Sequence, residues 1–181
     1  SEAEIRERRQ SVGFDAIEVR AGGSLVKHRP GVSLDLAAIA KGYAVEAVSA
    51  LLSAEGLDRH LVEIGGEVRA VGKKPGGAPW KVGVNTPEAG GPLDAVYRAV
   101  ALTNRAMATS GDYRNFFIRD KTVYTHVIDP RTGRPVQTGV VSATVTADDC
   151  TFADGLATAL MVMGPQEGLS LVEELDAVEC L

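Results

Sequence analysis

The chain is poor in cysteine, with only Cys150 and Cys180 among its 181 residues. Two thiols cannot build a disulfide framework, and they fit a reducing or an oxidising compartment equally well. No apolar run approaches the roughly 20 residues that a membrane-spanning helix needs. No G-x-x-x-x-G-K-[ST] segment occurs, so there is no P-loop. Basic charge is also in deficit: 19 Lys and Arg stand against 24 Asp and Glu, for a net charge of −5. Nucleic-acid binding needs a clustered basic face, so that class of main partner is disfavoured, although local basic spots can still hold a nucleotide. There is no internal repeat and no low-complexity tract. The chain opens at Ser1 without a signal pattern. Such a start reads as processed or engineered, so the missing targeting segment says nothing of location.

What is present is enough apolar material for a core: 45% of residues are hydrophobic, which argues against disorder. The length fits one domain or a large part of one. Glu2–Val12 is charged and helical in character. Ala16–Arg20 and Leu25–His28 read as paired strands around Gly22–Gly23. Leu36–Ala54 reads as a helix, with Ala40, Ala44, Val48 and Leu51 at helical spacing and Gly56 as its stop. Leu61–Ile64, Glu67–Val71, Trp80–Val84, Ala95–Leu102, Phe116–Ile118, Val123–Ile128 and Val140–Ala147 read as strands. Asp120–Lys121 marks a turn within that series, and Pro130–Pro135 marks another. Helices Thr151–Met163 and Gln166–Leu175 follow, separated by Gly164–Pro165. Strands outnumber helices and short turns link several of them. The expected fold class is α+β, a mixed, largely antiparallel sheet with packed helices, in a single region spanning residues 1–181.

Four segments carry possible chemistry. In Asp149–Gly164 (DCTFADGLATALMVMG), Asp154 and Thr158 lie four residues apart, which puts a carboxylate and a hydroxyl on one helix face. A hard cation such as Mg²⁺ takes oxygen ligands and shares itself with substrate phosphates. The plainer reading is an aspartate answering the helix dipole and a threonine bonded back to a carbonyl. In Asp35–Gly42 (DLAAIAKG), Asp35 can cap a helix start, while free amides with Lys41 nearby can hold phosphate oxygens. In Ala108–Tyr113 (ATSGDY), small residues and Gly111 permit close backbone approach to a ligand, or simply form a polar turn. In His126–Pro135 (HVIDPRTGRP), His126 is placed as a general base or a phosphate-orienting group. Asp129, Arg131 and Thr132 are equally able to do no more than build the turn.

Together, DLAAIAKGYA, LVEIGGEVRAVG, PWKVGV, TSGDYRNFF, HVIDPRTGRPV and ADGLATALMVMG resemble, in order, the motifs of the ApbE-type FAD:protein FMN transferases. The resemblance runs from about Val32 to Gly164. It implies an α+β fold and Mg²⁺-dependent cleavage of FAD. FMN passes to a Thr or Ser hydroxyl of an acceptor flavoprotein, and AMP leaves. By the same resemblance, Asp154 and Thr158 ligate Mg²⁺ through side-chain oxygens, and Ala38 adds its backbone carbonyl from an irregular helix start. Asp35 and Lys41 line the FAD site, Ile128 touches it, and Gly65, Gly66, Ser110 and Gly111 shape the pocket. His126 sits near the phosphates as the candidate catalytic residue. The family is commonly periplasmic or membrane-anchored, which implies an anchor absent from this chain. This stretch corresponds to the C-terminal part of the family domain, from which weak FAD binding and little transfer by the piece alone are expected. Two other outcomes remain open: FAD binding without transfer, and hydrolysis of FAD to FMN and AMP. Cys150, beside the metal helix, reads as a small buried residue.

Overall fold

Chain order in the computed structural model starts with α1 (Glu2–Arg9), a 3₁₀ turn (Phe14–Ala16), β1 (Ile17–Val19), β2 (Leu25–Lys27) and α2 (Ala40–Ala54). β3 (His60–Ile64), β4 (Glu67–Val71), β5 (Trp80–Asn85), β6 (Val96–Leu102), β7 (Arg105–Gly111), β8 (Phe116–Arg119) and β9 (Thr122–Thr125) come next. The chain closes with β10 (Ile128–Asp129), β11 (Arg134–Pro135), β12 (Ser142–Ala147), α3 (Cys150–Met163), α4 (Pro165–Glu173) and β13 (Glu179–Cys180). The structure describes residues 1–88, 90–92, 95–112, 116–119 and 122–181, with the backbone alone at 116–119, 122 and 123. The turn expected at Asp120–Lys121 and the end of the ATSGDY motif at Tyr113 lie outside the described residues.

The organising element is a five-stranded sheet in the order β13-β12-β7-β4-β3. Its ladders are all antiparallel, as the largely antiparallel α+β expectation requires. Strand alternation then assigns its two faces. Ala108 of β7, with Ala143, Val145 and Ala147 of β12, faces α3 and packs with Ala153, Leu156, Ala157, Leu160 and Met161, while Ala106 on the same face packs with Val45, Val62 and Cys150. Val68, Ala70 and Met107 face the other way, onto Val84 and Leu102 of the β5–β6 hairpin. The sheet is thus covered by helices on one side and by a hairpin on the other.

Several expected elements shift. The ATSG segment is not a turn between strands. It is part of β7, the middle strand of the sheet, with Ala106 and Ala108 fully buried. Small residues gave it the look of a turn, but on this face they are the ones that let a helix pack close. The helix expected from Leu36 begins at Ala40, because Asp35 Oδ1 accepts the Ala37 N–H at 2.8 Å and Ile39 N–H reaches back to the Leu36 carbonyl at 3.0 Å. Its period was legible and its phase was not. The buried face is Gly42, Val45 and Ser49, while Leu51 stays 68% exposed. The strand expected over Val123–Ile128 divides into β9 and β10 at a bend on His126. Helix α3 starts where predicted within one residue, its N-cap Asp149 accepting the Phe152 N–H at 2.7 Å. Among the described residues no helix is long and apolar enough to cross a membrane.

Ala108 offers a direct check of the β7 assignment. Ala108→Leu forces three carbons between the sheet and α3, and is expected to destabilise the chain by about 1–3 kcal/mol in urea unfolding. An unchanged midpoint is what a surface turn would give, and would contradict the fold.

Candidate functional site

One end of the sheet, the start of α2 and the middle of α3 enclose a cavity of about 680 Å³, within the range of small-molecule sites. The walls gather residues far apart in sequence. Asp35, Ala38 and Lys41 come from the approach to α2, and Gly65 from the β3–β4 turn. Ser110 and Gly111 end β7, His126 and Ile128 follow β9, and Asp154 and Thr158 project from α3. Every site residue expected from the sequence therefore lines this cavity except Gly66. Gly66 instead turns the chain away, with φ +102° and its N–H donating to Glu63 Oε1 at 2.7 Å.

Asp154 is only 3% exposed. Its Oδ2 accepts the Gly42 N–H at 2.9 Å. Gly42 is in the first turn of α2, where amides lack intrahelical partners and the helix dipole favours an anion. The contact demands a glycine: a Cβ there would meet the Cys150 carbonyl oxygen at 2.3 Å and Asp154 Cβ at 2.9 Å. Thr158 sits one turn further along α3. Its hydroxyl shares a hydrogen bond with Ser110 Oγ at 2.9 Å and reaches the Asp154 carbonyl at 3.3 Å. The back-bonding reading of Thr158 is therefore real, and it coexists with a hydroxyl that faces the cavity.

Lys41, the residue before Gly42, also lines the cavity. Its Nζ donates to Glu67 Oε1 at 2.6 Å; the lysine side chain is 47% exposed and the glutamate 0%. Burial pushes the Glu67 carboxyl above its usual range, Lys41 draws it back down and the Asp154 charge adds to the rise. Glu67 is the residue that sequence reading passed over. The signal was a carboxylate in a strand otherwise made for burial, directly after Gly65–Gly66.

The HVIDPRTGRP turn is held together as its plainer reading requires. Asp129 Oδ1 accepts the Arg131 N–H at 2.8 Å and Arg131 Nε at 3.0 Å, and Arg131 also donates to the Val162 carbonyl of α3 at 3.2 Å. That last bond ties the turn carrying His126 and Ile128 to the helix carrying Asp154. Cys150 is fully buried, and burial pushes its thiol up to about 12, so it is a packing residue rather than a nucleophile.

The Gly42 contact can be tested without a ligand. Alanine is otherwise the better helix residue, yet Gly42→Ala is expected to lose about 1–3 kcal/mol in urea unfolding because α2 and α3 must separate. A stabilised variant would show that the helices are not in this contact.

Residues 1–181 match the ApbE family. An FAD:protein FMN transferase of Vibrio cholerae is 40% identical over 173 residues, covering 96% of this chain and 51% of that relative. One of Haemophilus influenzae is 39% identical over 174 residues, covering 94% of this chain and 50% of the relative. Among solved structures, the flavin transferase ApbE from Vibrio cholerae superposes with a TM-score of 0.85 at 38% identity, covering 100% of this chain and 56% of that one. The apo form of Pseudomonas stutzeri flavinyl transferase ApbE gives 0.84 at 38% identity, covering 99% and 54%. The chain spans about half the length of the curated relatives it matches. With the family matched from end to end and the fold shared with its solved members, the chain belongs to the ApbE family.

Proposed function

We propose that this chain carries the metal- and phosphate-binding part of an FAD:protein FMN transferase, which moves FMN from FAD to a Thr or Ser hydroxyl of an acceptor flavoprotein and releases AMP. The observation that carries this reading is the convergence of Ala38, Lys41, Asp154 and Thr158 on one cavity. The names of the relatives supply the transferase chemistry. The residues present fit Mg²⁺. Asp154, Thr158 and the Ala38 carbonyl offer oxygen donors only, and the buried Asp154 carboxylate has one oxygen, Oδ2, fixed by Gly42. Among the described residues no group of three or more His, Cys, Asp or Glu forms a closed metal cage. A single carboxylate with neutral oxygens suits a cation that completes its shell with phosphate and water.

The chemistry supplied by a Mg²⁺ held there is neutralisation of charge on the cleaved pyrophosphate. Lys41 brings a second positive charge to the same phosphates. Asp35, Gly65, Ser110, Gly111 and Ile128 shape the wall against which FAD is oriented, and orientation supplies most of the remaining acceleration. The nucleophile belongs to the acceptor, so the chain needs a base rather than a nucleophile of its own. His126, exposed on the cavity rim, or a carboxylate of the site would take the hydroxyl proton.

Titration of FAD into the chain tests this by calorimetry. Mg²⁺ is expected to tighten binding by about tenfold or more, and Asp154→Ala to remove that dependence. Binding indifferent to Mg²⁺, or a variant that keeps the dependence, would overturn the assignment. Chromatography of the products separates the outcomes. FMN on the acceptor with AMP marks transfer, free FMN and AMP without acceptor mark hydrolysis, and unchanged FAD marks a binding protein.

A further inference from the structure

Glu67 has no role in the chemistry outlined above, yet among the described residues it alone holds a buried side-chain polar atom without a hydrogen-bond partner. It is fully buried, and Oε2 is a buried side-chain oxygen without a hydrogen-bond partner among the described residues. A carboxylate removed from water with one oxygen unpaired is expensive, and a neutral side chain of the same shape would spare that expense. Among the described residues its single ionic partner is Lys41, whose side chain is half in solvent and needs no buried partner for its own sake. Stability therefore does not explain the pair.

Position does. The β3–β4 turn places Glu67 two residues after Gly65, which lines the cavity with φ +61°. A Cβ on Gly65 would lie 3.3 Å from Lys41 Cδ and 3.7 Å from Glu67 Oε2. The lysine stem therefore lies across the bare glycine, with its ammonium drawn to Glu67 at the cavity wall. Lysine is a point charge on a flexible four-carbon stem, and left alone it samples many rotamers. We propose that Glu67 is a positioning residue: its buried carboxylate holds the Lys41 ammonium across Gly65, preorganised toward the phosphates that the cavity receives. The inference rests on the phosphate-site reading given above and deepens it.

The test uses the whole 181-residue chain with Glu67→Gln, which keeps the shape and one acceptor oxygen but removes the charge and replaces the other oxygen with an NH₂ donor. ADP serves as the pyrophosphate probe, with Mg²⁺ present. The first readout needs no ligand: the Lys41 side-chain ammonium should be ordered and slowly exchanging by NMR, and should become mobile in Glu67→Gln. The second is a double-mutant cycle. Glu67→Gln should weaken ADP binding by about tenfold, as loss of a supporting partner does elsewhere. It should change binding by less than about twofold when Lys41→Met is already present. Thermal stability of Glu67→Gln should be unchanged or higher, since a buried charge with one oxygen unpaired has gone. An ammonium as mobile in the parent chain as in the variant overturns the tether whatever ADP does. An equal loss of ADP affinity in both backgrounds, or a loss of stability with affinity intact, overturns positioning in favour of a structural role. An ordered ammonium in a chain that binds no ADP upholds the tether and overturns the phosphate-site reading.

Discussion

The site depends on one close approach between helices. Gly42 lies against the carbonyl of Cys150 with no room for a side chain, and from there its N–H reaches Asp154. That bond puts a buried carboxylate in the field of a helix N-terminus, where its charge is tolerated. It also fixes what surrounds the carboxylate. Lys41 is the preceding residue, and the irregular turn at residues 36–39 brings Ala38 to the same wall. Two polar side chains are thereby positioned by the packing of two helices, and the turn that leads into α2 adds Ala38 beside them.

The same economy of side-chain volume runs through the layer beneath. Ala106, Ala108, Ala143 and Ala147 leave the sheet surface low, so α3 settles close to it through Ala153 and Ala157. Gly155 does likewise on the flank of α3, where a Cβ would sit 3.0 Å from Ile39 Cγ2. Because α3 is low on the sheet, Ser110 at the end of β7 reaches the Thr158 hydroxyl. Arg131 then joins the His126 turn to the last carbonyls of the helix. The cavity is the gap left at the sheet end by elements that are otherwise tightly docked, which suits the proposed work of positioning phosphates.

Much of this was legible in the sequence, and the parts that were not share a cause. The family resemblance placed Asp35, Ala38, Lys41, Gly65, Gly66, Ser110, Gly111, His126, Ile128, Asp154 and Thr158 together, and the structure gathers all of them but Gly66. Pattern reading failed where small residues do the packing. It assigned α2 a face through Val48 and Leu51, whereas Gly42 and Ser49 are buried. It offered ATSG as a ligand approach or a polar turn, not as a strand, because serine and glycine signal turns more strongly than they signal a central strand. Gly42 escaped notice because only the partner helix shows why it must be glycine. Glu67 was missed because a lone charged residue at a strand start is ordinarily a solvated one. Its burial comes from α2 lying across the strand, which local sequence does not encode.

The account stands on Asp154 as the anchor of a metal–phosphate site. Diffraction from crystals of this chain grown with Mn²⁺ and ADP tests that most directly, since manganese takes the same oxygen ligands as magnesium and is located by its anomalous signal. The account predicts one manganese bound to Asp154 and the Thr158 hydroxyl, sharing phosphate oxygens, with the Gly42–Asp154 bond intact. Manganese elsewhere, or phosphates seated away from Asp154, would contradict it.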